Sequence, residues 1–399
     1  MISLEQATRT LLDAVTETSR TRLVSLEYAI GRIAAEDVSA PIDMPPFDRS
    51  PLDGYALRAA DIAGACRERP VKLEVVAELP AGDFWDGELA PGQTVRVMTG
   101  SMLPQNADCV VMQEHTDDGE EQVEFYSPMK AGDNICLRGE DVRKGTRILA
   151  RGTPICYSHL GVLASVGLSR ITVRDKVRAG LLSTGDELTL PGEPLGRGKI
   201  YNSNLFMLAG RMQQLGCEVT TLYKARDDVD EVCEIIRREI DGTDVFFTTG
   251  GVSVGRRDIM HPVIERLGAQ KLFWKVALKP GTPALAAMYQ GKLLLCLSGN
   301  PFAALTDFEL LGRPILSKLS GDAGFMHERV TGVMADAFPK ASKVRRFIRA
   351  VYKDGEVHLS PYSHSSGALL SLLGCNALID VPAGSAGLGV GDRVELVML

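Results

Sequence analysis

The sequence predicts a multidomain protein of the α/β plus β class: a mainly parallel α/β domain, a mostly β module and a small C-terminal β barrel. Three observations predict it. Residues 177–319 alternate strand-like apolar runs with helical periods, the order that produces a parallel sheet covered on both faces. Residues 71–125 and 326–399 carry short strand patterns separated by turn signals instead. A length of 399 residues exceeds one ordinary core.

Composition excludes several function classes. A net charge of -7 does not suit a general nucleic-acid surface, which requires basic patches. No run approaches the roughly 18 apolar residues of a membrane span, so no membrane contact and a cytoplasmic location are expected. The 8 cysteines include no CxxC pair and the 6 histidines no HExxH motif, so a zinc site or redox dithiol has no support.

The elements follow in order. Ser3 and Gln6 form a capping box ahead of Ala7, Leu11, Leu12 and Val15, an apolar helical face. Residues 39–56, SAPIDMPPFDRSPLDGYA, hold four prolines that stiffen the chain and present Asp48, Ser50 and Asp53 on a rigid loop. In the mostly β stretch, Thr99 and Gly100 end a strand pattern. The run NICLRGEDVRKGTRIL then sets Arg138, Glu140 and Asp141 beside glycines. A short helix is predicted over 159–167.

From residue 177 the α/β alternation begins. A strand over 178–182 runs into Ser183-Thr184-Gly185-Asp186-Glu187. A helix over 202–216 has Asn202 or Ser203 as its cap and Gly216 as its stop. A strand from residue 218 leads to Arg226-Asp227-Asp228 and a helix over 229–240. DVFFTTGGVSVGRRD, residues 244–258, joins a buried-strand pattern to a glycine-rich turn containing Gly250, Gly251, Ser253 and Gly255, ahead of a helix over 259–267. LFWKVALKPG follows with ALAAMYQGKLLLCL as its hairpin partner, and Ser298-Gly299-Asn300-Pro301 starts another helix.

Four of these loops end a strand pattern in the α/β domain. Such loops line one edge of an open sheet, so Glu187, Asp227 and Asp258 are expected to converge with glycine N–H groups on one pocket. Glycine turns suit phosphate, and carboxylates among phosphates suit Mg²⁺. Each carboxylate also fits a helix N-cap. Lys275 and Lys279, four apart on a predicted strand, are expected on one face, where an anion relieves their repulsion. Arg345, Arg346 and Arg349 flank Phe347 and read either as a charged strand face or as anion ligands.

Together PPFDRSPLDGYA, VMTG, LRGED, STGDELTLPG, GKIYNSN, GCEV, RDD, TTGGVSVGRRD, WKVALKPG and SGNP, in this order, resemble the molybdopterin molybdenumtransferases, the MoeA-type proteins that include the gephyrin E domain. The resemblance implies an elongated homodimer. Each subunit would contain an α/β molybdopterin-binding domain (1–25 and 174–320), a connecting subdomain (26–45 and 141–173), a projecting β domain (46–140) and a β barrel (321–399).

The reaction it implies inserts molybdate into adenylylated molybdopterin with release of AMP and with Mg²⁺ present. The alternatives are a pterin-binding scaffold or a tungstate-preferring variant. The implied catalytic set is Asp53, Asp141, Glu187, Asp227, Asp258, Lys275 and Lys279, with Asp53 and Asp141 supplied by a partner subunit and Asp227 and Asp258 positioned for the metal. Thr99, Ser183, Thr184, Gly185, Gly250, Gly251, Ser253, Ser298, Gly299, Asn300, Pro301, Arg345 and Ser366 would hold the pterin substrate. Implied partners are the molybdopterin adenylyltransferase and molybdoenzyme maturation proteins. Two motifs depart from the family pattern: LSGNP stands where LPGNP is frequent, and Lys279-Pro280-Gly281-Thr282-Pro283 where KPGKP is frequent.

Overall fold

A computed structural model describes residues 1–252 and 258–399. The chain divides into two compact units, residues 23–172 and residues 1–22 with 173–399. Helix α1 (Leu4–Ala14) opens the chain with its capping box formed by Ser3 and Gln6, and it buries Leu4, Ala7 and Leu11.

The unit of residues 23–172 holds a five-stranded sheet made of β1 (Gly54–Leu57), β2 (Val71–Leu79), β3 (Gln93–Val97), β4 (Cys109–Met112) and β5 (Gln122–Phe125), in the order β4-β1-β3-β2-β5. Only β2 and β3 pair in parallel. The proline-rich segment therefore does more than present a stiff loop. Its last residues form β1, buried at every position, between β3 and β4. Gly54 is obligatory there, because a Cβ would stand 2.0 Å from the Val111 carbonyl oxygen. Helix α2 (Tyr157–Ser165) occupies the predicted short helical stretch.

In the second unit a six-stranded sheet is built from β6 (Arg178–Thr184), β7 (Glu218–Ala225), β8 (Val245–Thr249), β9 (Gln270–Trp274), β11 (Leu285–Tyr289) and β12 (Lys292–Leu297). Their order is β7-β6-β8-β12-β11-β9; β7, β6, β8 and β12 are mutually parallel, and β11 runs against both its neighbours. Alternation of side chains sorts each strand between two helical layers. Phe247, Leu181 and Leu295 face α1, α3 (Ser203–Gln214), α6 (Pro301–Asp307) and α7 (Arg313–Ser320). Phe246, Leu182 and Leu294 face α4 (Val229–Glu239) and α5 (Met260–Leu267).

One prediction is corrected here. WKVALKPG is not a single strand, because β9 ends at Trp274 and Lys275 takes a left-handed backbone with φ 67°. Only Leu278–Lys279, β10, resumes an extended course, and it pairs in parallel with Arg345 and Arg346 of a different sheet. The predicted hairpin partner does pair antiparallel with β9, through β11, and it also turns back on itself at Gln290 and Gly291 so that β11 pairs with β12.

The C-terminal strands β13 (Arg329–Met334), β14 (Arg345–Lys353), β15 (Glu356–Leu359), β16 (Ala377–Val381) and β17 (Arg393–Met398) run in the order β14-β15-β13-β17-β16. Pairing of β14 with β16 closes them into the predicted barrel around Ile348, Ile379 and Leu396.

Candidate active site

The carboxyl ends of β6, β7, β8 and β12 are adjacent on one edge of the sheet, so the four loops singled out from the sequence emerge side by side. Above them lies a cavity of ≈ 1340 Å³ whose opposite wall comes from the 279–283 turn and the barrel.

The turns pack too closely to tolerate side chains. Gly250 has φ +90°, and a Cβ there would meet the Thr184 carbonyl oxygen at 2.2 Å. Gly251, at φ +64°, would meet Ile259 Cγ1 at 2.7 Å and Thr184 Oγ1 at 2.8 Å. Asn204 ties two turns together, donating from Nδ2 to Thr249 Oγ1 at 3.0 Å and to the Gly299 carbonyl at 2.6 Å. Thr249 Oγ1 in turn donates to the Ser298 carbonyl at 2.9 Å. Among the described residues, Thr184 Oγ1 is buried against this cradle with no hydrogen-bond partner. A buried hydroxyl left open at a cavity wall is a ready contact for a polar ligand.

Of the expected site residues, Ser183, Thr184, Gly185, Glu187, Asp227, Gly250, Gly251, Lys279, Ser298, Gly299, Asn300, Pro301 and Ser366 line this cavity. Asp227 is steadied by reciprocal bonds with the neighbouring turn: Asp186 N–H donates to Asp227 Oδ2 at 3.4 Å, and Asp227 N–H to Asp186 Oδ1 at 3.3 Å. Glu187 and Asp227 thus supply two hard oxygen donors to one space. Such a pair fits Mg²⁺, which takes one or two carboxylates and completes its shell with phosphate and water.

Other expected residues lie elsewhere. Asp258 is not among the described lining residues: it caps the start of α5, accepting from Met260 N–H at 3.1 Å, and its Oδ2 lies 2.9 Å from His261 Nδ1. Lys275 joins that same group, not Lys279, with Nζ 3.9 Å from the centre of the Trp274 ring, which also meets the His261 ring in a T-shaped contact. Arg345 is held by Asp380 through bonds of 2.6 and 2.5 Å and by Glu5, and does not line the cavity. Ser253 lies outside the described residues.

In the unit of residues 23–172, Asp53 and Thr99 meet. Asp53 Oδ1 accepts from Thr99 N–H at 2.6 Å and from its hydroxyl at 2.8 Å, bonds that hold the carboxyl below its ordinary acid range. Asp141 is exposed on a turn whose N–H groups at 141 and 142 both donate to the Met44 carbonyl.

Of the arginines that sequence left as a strand face or as anion ligands, Arg346 lines the cavity, and sequence reasoning missed Lys340 beside it. Both stand around Phe338, at 5.6 and 5.9 Å from its ring centre, and form no carboxylate ion pair among the described residues. With Lys279, the register partner of Arg346, they make the barrel wall cationic. Strand alternation was the available signal, since Arg345 and Arg346 must point to opposite sides of β14. Arg349 is fully buried and donates to the carbonyls of Ser363, Ser365 and Ala368, which fixes the serine loop beside the cavity. Asp307 reaches the Ser298 N–H from two turns along α6.

Known proteins share this architecture along the whole chain. Models of the MoeA N-terminal region (domains I and II), the probable molybdopterin-binding domain and the MoeA C-terminal region (domain IV) match residues 2–167, 180–318 and 331–399. The molybdopterin molybdenumtransferase of Bacillus subtilis is 37% identical over 391 residues, 95% of this chain and 90% of that one. The chain belongs to the MoeA family. A MoeA relative in Staphylococcus epidermidis, also a molybdopterin molybdenumtransferase, is 33% identical over 100% of this chain and 95% of its own. The crystal structure of a MoeA molybdopterin biosynthesis protein from Pyrococcus horikosii superposes with a TM-score of 0.89 at 29% identity, covering 100% and 99% of the two chains. Among the described residues of this MoeA-family chain, no helix is long and apolar enough to cross a membrane.

Proposed function

We propose that this chain inserts molybdenum from molybdate into adenylylated molybdopterin and releases AMP. Family membership supports the reaction, and one observation supports its location: a cavity with a glycine and hydroxyl cradle on the sheet edge, carboxylates at one side and cations on the barrel wall. The glycine turns let backbone approach the pterin phosphate, and the Thr184 hydroxyl offers a further donor. Lys279, Arg346 and Lys340 attract the oxyanion and orient phosphate oxygens.

Glu187 and Asp227 are the pair proposed to hold Mg²⁺, with Asp258 acting behind them as the cap that sets the start of α5. When bound, Mg²⁺ supplies charge neutralisation at the phosphoanhydride oxygens. Asp53 and Asp141 are proposed to act from a partner subunit of a homodimer. Mixing Asp53→Asn and Asp227→Asn chains checks that arrangement, since one intact composite site should return only in mixed dimers.

The decisive assay incubates the protein with adenylylated molybdopterin, Mg²⁺ and either molybdate or tungstate, and follows AMP release and metal incorporation. AMP release that depends on the oxyanion is expected. Absence of AMP with both oxyanions would leave a pterin-binding scaffold.

A further inference from the structure

Position 298 is where the cavity loop departs from LPGNP, and the consequence is chemical. Proline has no N–H, whereas Ser298 brings a backbone donor into a site only 3% exposed. A buried N–H requires an acceptor. Here the acceptor is Asp307 Oδ2, at 3.0 Å, on a side chain that is itself fully buried.

The other oxygen of the same carboxyl touches a second turn. A Cβ at Gly281, whose φ is +107°, would stand 1.9 Å from Asp307 Oδ1, so Oδ1 lies directly against the glycine. Gly281 follows Lys279 and Pro280 in the cavity wall, and Ser298 precedes Gly299 and Asn300. One side chain therefore braces two turns that carry expected substrate contacts. No ion pair neutralises it among the described residues, and burial pushes its acid constant well above the ordinary carboxylate value. Asparagine is its close copy in shape and keeps an oxygen acceptor.

We propose that Asp307 is a positioning residue for the transfer reaction: it fixes the 298–301 and 279–283 turns against each other through its bond to the Ser298 N–H and its contact with Gly281. The inference rests on the reaction proposed above for its kinetic readout and on geometry alone for its second readout.

The test compares Asp307→Ala, Asp307→Asn, and Ser298→Pro in the Asp307→Ala background. Asp307→Ala should lower kcat/KM for AMP release by about tenfold to a hundredfold, the scale of a small misplacement of binding groups. Asp307→Asn should stay within about threefold of the parent, because the amide oxygen still accepts from the Ser298 N–H. Ser298→Pro should recover most of the loss, since it removes the donor that lacked an acceptor. In parallel, amide hydrogen exchange at Gly299 and Asn300 should accelerate about tenfold in Asp307→Ala and return in the double variant.

Unchanged kinetics and exchange in Asp307→Ala would overturn the proposal. So would equal damage from Asp307→Asn, or a double variant no better than the single one. Should Asp307→Ala fail to fold, parent-like behaviour of Asp307→Asn and of the double variant supports the proposal, and failure of either refutes it. If the parent protein releases no AMP, the reaction assignment fails, while the exchange comparison still decides the role of Asp307.

Discussion

Asp307 and Glu309 lie two residues apart on the helical stretch that follows the LSGNP turn, and both are completely buried. Their surroundings differ in kind. Glu309 bonds Arg211 Nε at 2.6 Å and lies 3.2 Å from Arg313 Nη1 and 3.3 Å from His327 Nε2, so it joins α3, α7 and the segment that enters the barrel. Asp307, toward the cavity, meets a backbone N–H and a glycine. The sequence places two acidic residues on one helix, and the environment makes one an ion-pair hub and the other a brace without an ion pair among the described residues. Where the molecule needs its layers joined, it pairs charge; where it needs two turns held, it uses a backbone hydrogen bond and close packing.

The sharpest way to break this contrast is to neutralise each carboxylate in place. Glu309→Gln strands two arginines in the interior and should cost roughly 3–5 kcal/mol in urea denaturation, the range for breaking a buried pair. Asp307→Asn should cost no more than about 1 kcal/mol, since the Ser298 N–H keeps an oxygen acceptor of the same shape. Equal losses would end the distinction.

Next in size is the contrast between neighbouring arginines on β14. Arg346→Gln, on the cavity, should raise the KM for molybdate about tenfold with little change in stability, the weight of one charge-assisted hydrogen bond. Arg345→Gln should do the reverse, because its partners are Asp380 and Glu5. A molybdate KM that responds to Arg345 instead would reassign the wall.

The smallest effects appear in pH dependence, and the signs oppose. Asp380 is opposed by burial, but its bonds with Arg345 and Arg329 hold its acid constant below the ordinary value. Its stabilisation is present above the unfolded aspartate range, about pH 4, and is lost as pH falls through the lower folded-state value. Asp307 is shifted upward, so its contribution is greatest below about pH 4 and is lost as pH rises toward the folded-state value. Relative to the parent, Asp307→Asn should gain stability as pH rises and Asp380→Asn should lose it. Urea midpoints measured across acid to neutral pH would expose parallel slopes if this reasoning is wrong.

Much of this was readable from residue order. Apolar periodicity locates the helices and the four parallel strands, and the rule that loops at strand ends share an edge brings Glu187, Asp227, Gly250 and Gly299 to one cavity. What escaped had local causes. Strand β1 was hidden because four residues behind Pro51 and Asp53 carry turn chemistry on one side and too short an apolar run on the other. Lys275 left the expected face because a non-glycine residue with positive φ interrupts the strand, which composition does not reveal. Asp258 matched both a cap and a ligand, and the same sequence position serves either. Asp307 was invisible for a different reason: an acid inside an apolar helix becomes meaningful only once its partner, a backbone N–H nine positions earlier, is known.

The aromatic cluster beside α5 gives the molecule a built-in optical reporter. The chain has 2 tryptophans, Trp85 and Trp274, and among the described residues Trp274 is the one with a lysine ammonium 3.9 Å from its ring centre and a histidine ring in T-shaped contact at 4.5 Å, the latter bonded to Asp258. In a Trp85→Phe background the emission of Trp274 becomes a signal from a single fluorophore whose quenching follows His261 and Lys275. Filling of the neighbouring site could then be watched by light, in real time and without a label, through a ring that touches Lys275 and, by way of His261, Asp258.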